Sequence, residues 1–296
     1  MADTKIEWTE KTWNPIRARD MRTNKVGHYC ELTSSGCANC YASAMQVRFG
    51  MPAFSWRSKD KVEVDGSVLV GELRIHLDEE VLAQPLKWKK PRRVFPCSMT
   101  DLFGAWVPDR WIDQIFAVMA NAEQHTFQIL TKRSERMRDY LGRTAIISNI
   151  GQMWFNPSLR VGGNGPAWPL PNVWVGVSVE NQEQADKRIP DLLATPAAVR
   201  WLSCEPLLGL LNLSPWLSGI KWVVIGGESG LYARTCNVAW IRSLVQQCKE
   251  VGVACFVKQL GSNQMSSSGK HSWIQTKGGN PSEWPEDLRV REYPHV

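Results

Sequence analysis

The sequence predicts an α/β fold, built as a partial or complete parallel (β/α) barrel. Two observations carry this expectation. Short, nearly continuous apolar runs of β type recur along the 296 residues, and most are followed by a helical pattern. Runs of that kind fit strands covered on both faces, and alternation of strand with helix is the mark of a parallel sheet. About seven such strands in a chain of this length suit a barrel, with a doubly wound open sheet as the alternative.

In chain order, a first strand falls near IEW (6–8) or KTW (11–13). A polar loop with three cysteines follows at 30–40, then a helical pattern in Tyr41, Ala42, Ala44, Met45 and Val47. VFPCS (94–98) is the next strand. Pro108 and Asp109 open a helix that sets Trp111, Ile112, Ile115, Phe116 and Met119 on one face. TFQIL (126–130) follows, and then a Gly-, Pro- and Asn-rich stretch at 142–172 that reads as an insertion or lid. VWVGVSV (173–179), a helix over 182–194, VRWLS (199–203) and WVVIG (222–226) continue the rhythm. A helix marked by Trp240, Ile241, Leu244 and Val245 leads to VACFV (253–257). The barrel is expected over 1–261, with an irregular tail, 262–296, packed on it.

Composition narrows the class. Hydrophobic residues make up 43% and charged residues 22%, which fits a folded chain and not a disordered one. No apolar run is long enough to span a bilayer, and the N-terminus lacks a basic stretch followed by an apolar core, so a cytoplasmic protein without a membrane partner is expected. There thiols stay reduced, and clustered cysteines point to metal or catalysis more than to disulfides. The net charge of +6 permits a nucleic-acid partner. The basic runs RARDMR (17–22), KWKKPRR (87–93) and KRSERMR (132–138) could serve it, although Asp20 and Glu135 interrupt two of them and ordinary solvated faces are the alternative. Among fifteen tryptophans, Trp8, Trp13, Trp174, Trp201 and Trp222 lie in or beside strand-like runs, where core packing is the simplest role and base-stacking platforms the alternative.

Strand ends collect function in βα architectures. Here they carry Cys97, Ser98 and Asp101; Thr131, Lys132 and Arg133; Ser178, Glu180 and Asn181; Ser203, Cys204 and Glu205; Gly226, Gly227, Glu228 and Ser229; and Lys258 with Gln259. Carboxylates at several ends and cations at others imply a polar pocket on one face of the sheet. Asp101, Lys132, Glu205, Glu228 and Lys258 are the candidate catalytic residues. Solvation of strand ends is the plain alternative for each. Gly226-Gly227 lets a ligand approach the backbone, or simply makes a tight turn. It lacks the full dinucleotide fingerprint.

Cys30, Cys37 and Cys40 follow the spacing C-x6-C-x2-C. A structural zinc site is one reading, with His28 as a fourth ligand. An iron–sulfur cluster is another; with three thiolates one iron stays open to a further molecule. Cys248 and Cys255 read as core, Cys97 and Cys204 as strand-end thiols, and Cys236 is unassigned.

A three-cysteine loop at the first βα connection resembles the radical S-adenosylmethionine enzymes, whose usual spacing is C-x3-C-x2-C with an aromatic residue before the last cysteine. Here the first gap is six residues and Asn39 holds the aromatic position. The stretches KTWNP, GCANCYA, CSMTDLF, FQILTKRSERM, VWVGVSVENQ, LSCEPLLG, WVVIGGESG and VKQLG resemble the phage Gp thirty-seven/sixty-eight family over nearly the whole chain. The connector before Cys30 is similar to that of a longer-loop subgroup. The resemblance implies a radical-SAM-type barrel in which Cys30, Cys37 and Cys40 hold a [4Fe–4S] cluster. It also implies S-adenosylmethionine as cofactor, cleaved to a 5′-deoxyadenosyl radical. From their strand ends, Ser178, Glu180 and Asn181 are then the candidates to hydrogen-bond its ribose hydroxyls, and Gly226 and Gly227 to let cofactor or substrate approach the backbone. It further implies action on a nucleic-acid base or modified nucleotide, a "three-Cys-motif partner" protein, and the host cytoplasm for a phage-encoded chain. The rival expectation is a non-catalytic, zinc-containing nucleic-acid-binding protein; a virion structural part ranks below both.

Overall fold

A computed structural model describes residues 4–56, 59–143, 167–266, 268–274 and 276–295. Most of the expected insertion at 142–172 lies outside the described residues. The elements in order are β1 (Lys11–Trp13), β2 (Ile16–Asp20), β3 (Val26–Gly27), α1 (Tyr41–Arg48), β4 (Lys61–Val64), β5 (Ser67–Val70), β6 (Leu73–Leu77), α2 (Glu79–Leu82), α3 (Gln84–Lys87) and β7 (Arg93–Pro96). There follow α4 (Asp109–Asn121), β8 (Thr126–Thr131), α5 (Ser134–Leu141), β9 (Val173–Ser178), α6 (Gln182–Ala194), β10 (Val199–Cys204), β11 (Trp222–Gly226), β12 (Cys236–Asn237), α7 (Val238–Val251), β13 (Ala254–Gln259), β14 (Asn263–Met265) and β15 (His271–Trp273).

Seven strands form one curled parallel sheet, a half-barrel, in the order β1-β7-β8-β9-β10-β11-β13. The order follows the chain, as it does in a (β/α) barrel and not in a doubly wound sheet. The apolar runs that predicted the strands fill it: β9 and β11 are buried at every position. Trp8, Trp13, Trp174, Trp201 and Trp222 are all buried, so these tryptophans are core. The helix α4 buries the expected Trp111, Ile112, Ile115, Phe116 and Met119 face.

The connector between β1 and the cysteine loop holds an element that apolar runs did not announce. β2 and β3 pair antiparallel, and with 61–77 they make a five-stranded sheet in the order β3-β2-β6-β5-β4. Its strands alternate. Ile16, Ala18, Val68, Val70, Leu73 and Ile75 are buried on one face. Arg17, Arg19, Val62, Leu69, Arg74 and His76 fall on the other. Asp65 and Gly66 join β4 to β5 with φ of 47° and 75°. Two left-handed residues in succession are what a two-residue hairpin turn needs, and Asp-Gly is a preferred pair for it.

The chain divides into two compact units. The first holds 1–174 with 195–198, and the second 175–194 with 199–296. The segment 262–296 belongs to the second. It is partly regular: β14 and β15 pair antiparallel, and the Val257 N–H donates to the Val290 carbonyl at 2.8 Å.

Candidate metal centre

The three cysteines lie on one hydrogen-bonded loop of the first unit. The Cys37 N–H donates to the Ser34 carbonyl at 2.8 Å, and the Cys40 N–H to the Cys37 carbonyl at 3.2 Å. Cys40 caps α1 and its carbonyl accepts from the Ala44 N–H at 3.1 Å. Cys37 is buried, Cys30 and Cys40 half-buried, and all eight cysteines are free thiols. Burial pushes the Cys30 thiol well up. The Asp101 charge adds to this, Arg133 opposes it, and Cys40 and Cys37 add further. The three sulfurs therefore share one electrostatic neighbourhood. Among the described residues, no three or more His, Cys, Asp or Glu side chains stand converged as a metal-binding group. Ligation needs thiolates and a cation.

The loop is fastened to the C-terminal ends of β7 and β8. Cys97 leaves β7 with φ 57° and directs the chain into Ser98–Asp101. The Thr100 hydroxyl donates to the Tyr29 carbonyl. The Tyr41 hydroxyl, one residue past Cys40, donates to the Ser98 carbonyl at 2.6 Å. Asn14, just after β1, accepts from the Met99 N–H at 3.0 Å. Arg133 forks, donating to Asp101 Oδ2 at 3.1 Å and to the Glu31 carbonyl at 3.0 Å, while its guanidinium lies 4.7 Å from the Trp106 ring centroid. Glu31 takes the Tyr29 hydroxyl at 2.8 Å and Lys61 Nζ at 2.9 Å on Oε1.

Asp101 is the hub. Its Oδ1 accepts from the Thr131 hydroxyl at 2.6 Å and the Phe103 N–H at 3.0 Å; its Oδ2 also takes the Lys132 N–H at 3.1 Å. Burial alone would raise its pKa, but Arg133, the Thr131 hydroxyl and the two backbone donors outweigh it and hold the carboxyl below its usual range. A carboxylate so fully engaged positions the loop and is poorly placed to move protons. Sequence reasoning selected Asp101 and Lys132 and passed over Arg133, although it stands in the same strand-end triplet.

His28, buried two residues before Cys30, points Nδ1 at the Ile16 carbonyl, 3.0 Å away. Burial lowers its pKa to about 4, against the lift from that hydrogen bond, so the ring is neutral.

The model of a family described as "Protein of unknown function (DUF5131)" matches residues 3–284. The chain belongs to that family. No curated protein and no solved structure matches it.

The remaining predicted residues of this DUF5131 chain lie in the second unit. The Glu180 carboxylate accepts from Arg188 at 2.9 Å, with both side chains buried, and the Ser178 carbonyl accepts from the same guanidinium at 2.7 Å. Asn181 Oδ1 accepts from the Gln184 N–H at 3.0 Å at the start of α6. Glu228 is gripped by Arg234 through Nε at 2.9 Å and Nη2 at 2.5 Å. Glu205 Oε1 lies 3.1 Å from Lys258 Nζ, and both are half-buried. A Cβ on Gly226 would stand 2.6 Å from Glu205 Oε1, and one on Gly227 would stand 2.3 Å from the Leu260 carbonyl oxygen. Protein atoms thus already occupy the space that both glycines leave. Cys204, Cys248 and Cys255 are all buried in the core; burial and then Cys248 push the Cys204 thiol up, and a hydrogen bond with Cys248 and then burial push up that of Cys255.

Proposed function

We propose that the chain is an iron–sulfur enzyme of the radical S-adenosylmethionine type, as its resemblance to the phage Gp thirty-seven/sixty-eight family implies, acting on a nucleic-acid base. The observation that carries the reading is the anchoring of three reduced thiols, within electrostatic reach of one another, at the C-terminal ends of β7 and β8. The donor set fits the group: three soft sulfur ligands on one loop leave one iron for a further ligand. Cys30, Cys37 and Cys40 would hold the cluster. When bound, the cluster and S-adenosylmethionine supply one-electron cleavage of the sulfonium and, through it, hydrogen abstraction.

The chain's own residues do the rest. Asp101 and Arg133 position the loop through the Glu31 carbonyl, and Arg133 brings positive charge to the Cys30 thiol. Of the carboxylates at the strand ends of the second unit, Glu205 is the one set for proton movement. It faces an amine across 3.1 Å, whereas Glu180 and Glu228 are each committed to an arginine. Ser178 and Asn181 remain the proposed cofactor contacts.

One observation favours a second reading, a zinc site in a nucleic-acid-binding protein. Zinc-bound histidines commonly donate their other ring N–H to a backbone carbonyl, as His28 does to Ile16. Metal analysis separates the two. Protein purified without oxygen should carry about four irons and four sulfides per chain and a brown colour bleached by dithionite. Colourless protein with a single zinc would overturn the enzyme reading. Cys30→Ala, Cys37→Ala or Cys40→Ala should each abolish iron binding.

A further inference from the structure

The outward face of the five-stranded sheet places one arginine against another. The register sets Arg19 opposite Arg74 and Arg17 opposite His76 on the antiparallel strands β2 and β6. Like charges directly opposite across a strand pair destabilise a sheet. A nearby carboxylate would relieve this, yet among the described residues none lies in an ion pair with Arg17, Arg19 or Arg74. Their side-chain partners are neutral: Arg19 donates to Asn24 Oδ1 at 2.7 Å, and Arg74 to Ser67 Oγ at 3.1 Å. Arg17 Nε is buried without any hydrogen-bond partner. His76 responds to this field. Burial of its ring lowers its pKa first, and Arg19 and Arg17 lower it further, against Asp78 and the Arg74 backbone.

The other basic runs differ. In 132–138, Arg133 pairs with Asp101, Arg136 with Asp109 and Arg138 with Asp139. In 87–93, Arg92 and Arg93 both reach Glu10. Even Arg22, at the end of β2's own run, pairs with Glu72. On the sheet face, Arg19 stands directly opposite Arg74 without a compensating acid among the described residues, and such breaks of a local rule concentrate at functional sites.

We propose that this face is the docking surface for a single-stranded nucleic acid, held by its phosphodiester backbone on Arg17, Arg19, Arg74 and His76. Arg17 and Arg19 are two residues apart on one strand, so their side chains leave the same face about 7 Å apart, a step comparable with that between successive phosphates of a stretched strand. The guanidinium fork matches phosphate oxygens. A phosphate also turns the Arg19–Arg74 juxtaposition from a repulsion into a shared clamp. A single strand is favoured over a duplex because an enzyme that works on a base needs it out of the stack. The inference rests on the enzyme reading for that choice and for the fate of the bound strand; the binding itself does not.

The test is fluorescence anisotropy with a labelled oligothymidylate, titrated at several salt concentrations. The proteins compared are wild type, Arg17→Gln/Arg19→Gln/Arg74→Gln, and Lys87→Gln/Lys89→Gln/Lys90→Gln. The two triple variants lose the same formal charge. The arginine variant should bind on the order of tenfold or more weakly, and its log–log salt slope should fall by about two, at roughly 0.7 for each phosphate that is no longer neutralised. The lysine variant should keep most of its affinity. The arginine variant should also melt no lower than wild type, since a repulsion has been removed; this separates weakened binding from failed folding. Equal losses in both variants, no binding by wild type, or a preference of this face for phosphatidylserine vesicles would each overturn the proposal. Measuring the iron content of wild type purified without oxygen keeps the two readings apart. Strand binding by wild type that never holds iron would sink the enzyme reading and leave the surface standing, and iron-bearing wild type that ignores the strand would do the reverse.

Discussion

Arg133 joins Asp101 to the backbone of the cysteine loop: one guanidinium nitrogen lies 3.1 Å from Asp101 Oδ2 and another 3.0 Å from the Glu31 carbonyl oxygen. The pair is largely shielded, with side chains 17% and 9% exposed. Removing one member strands the other's charge, at a cost of about 3 kcal/mol for a shielded pair. Arg133→Gln should therefore lower the urea midpoint by an amount of that order. It should also weaken metal retention by the loop, since the Glu31 carbonyl loses its donor. Arg133→Lys should recover part of the stability and less of the metal, because an ammonium cannot fork. Unchanged iron content in a destabilised Arg133→Gln protein would assign the residue to folding alone.

Asp101 makes stability pH-dependent in a defined direction. Its folded pKa lies below the ordinary carboxylate value, so the unfolded chain takes up the proton first. The stabilisation is complete above the unfolded pKa of about 4 and is lost as pH falls through the folded value. Wild type should show a declining denaturation midpoint from about pH 4 downward. Asp101→Asn should start lower and vary less over that window. A parallel decline in both proteins would show that other carboxylates dominate acid unfolding.

The half-barrel was legible because its strands are buried on both faces, and burial writes itself as uninterrupted runs such as VWVGVSV and WVVIG. The five-stranded sheet was not, since each strand buries only one face and its alternation is shorter and studded with Arg and Lys. Its strongest signal was local: Asp65-Gly66 between KVEV and SVLV is a hairpin signature in its own right. At the site, three cysteines at close spacing were visible directly. What holds them was not, because Arg133 meets Glu31 across 102 positions and Asp101 across 32. No one-dimensional pattern marks a hydrogen bond of that reach. Gly226-Gly227 is ambiguous in sequence for a related reason. A glycine reports that something comes close, and only the structure says that the neighbours are Glu205 and Leu260.

Glu180 and Arg188 meet with side chains 0% and 3% exposed. Breaking such a pair leaves a buried charge without compensation, roughly 3–5 kcal/mol, whereas replacing both with apolar residues of similar volume is often close to neutral. Arg188→Met and Glu180→Leu should each unfold the protein at distinctly lower urea, and the double variant should regain most of the loss. A double variant that is stable yet fails to bind S-adenosylmethionine by calorimetry would bring Glu180 back as a cofactor contact. Full binding by the same variant would confine the pair to the fold.

The two glycines after β11 should differ when each is changed to alanine. At Gly226 the new methyl meets the end of the Glu205 side chain, which can swing away at the expense of its Lys258 partner. At Gly227 it meets the Leu260 carbonyl and the Gly261 Cα, at 2.3 and 2.9 Å. These are backbone atoms, further held by the hydrogen bond from the Leu260 N–H to the Gly278 carbonyl at 3.0 Å. Overpacking that a side chain absorbs costs about 1 kcal/mol, and overpacking against backbone about 3 kcal/mol or more. Gly226→Ala should fold with a modest loss in midpoint and displace the Glu205 carboxylate from Lys258. If that pair moves the substrate's proton, turnover should then drop far more than stability does. Gly227→Ala should be the less stable protein by a clear margin. A reversed order would mean that the turn between β11 and the segment after β13 yields more easily than its backbone contacts imply.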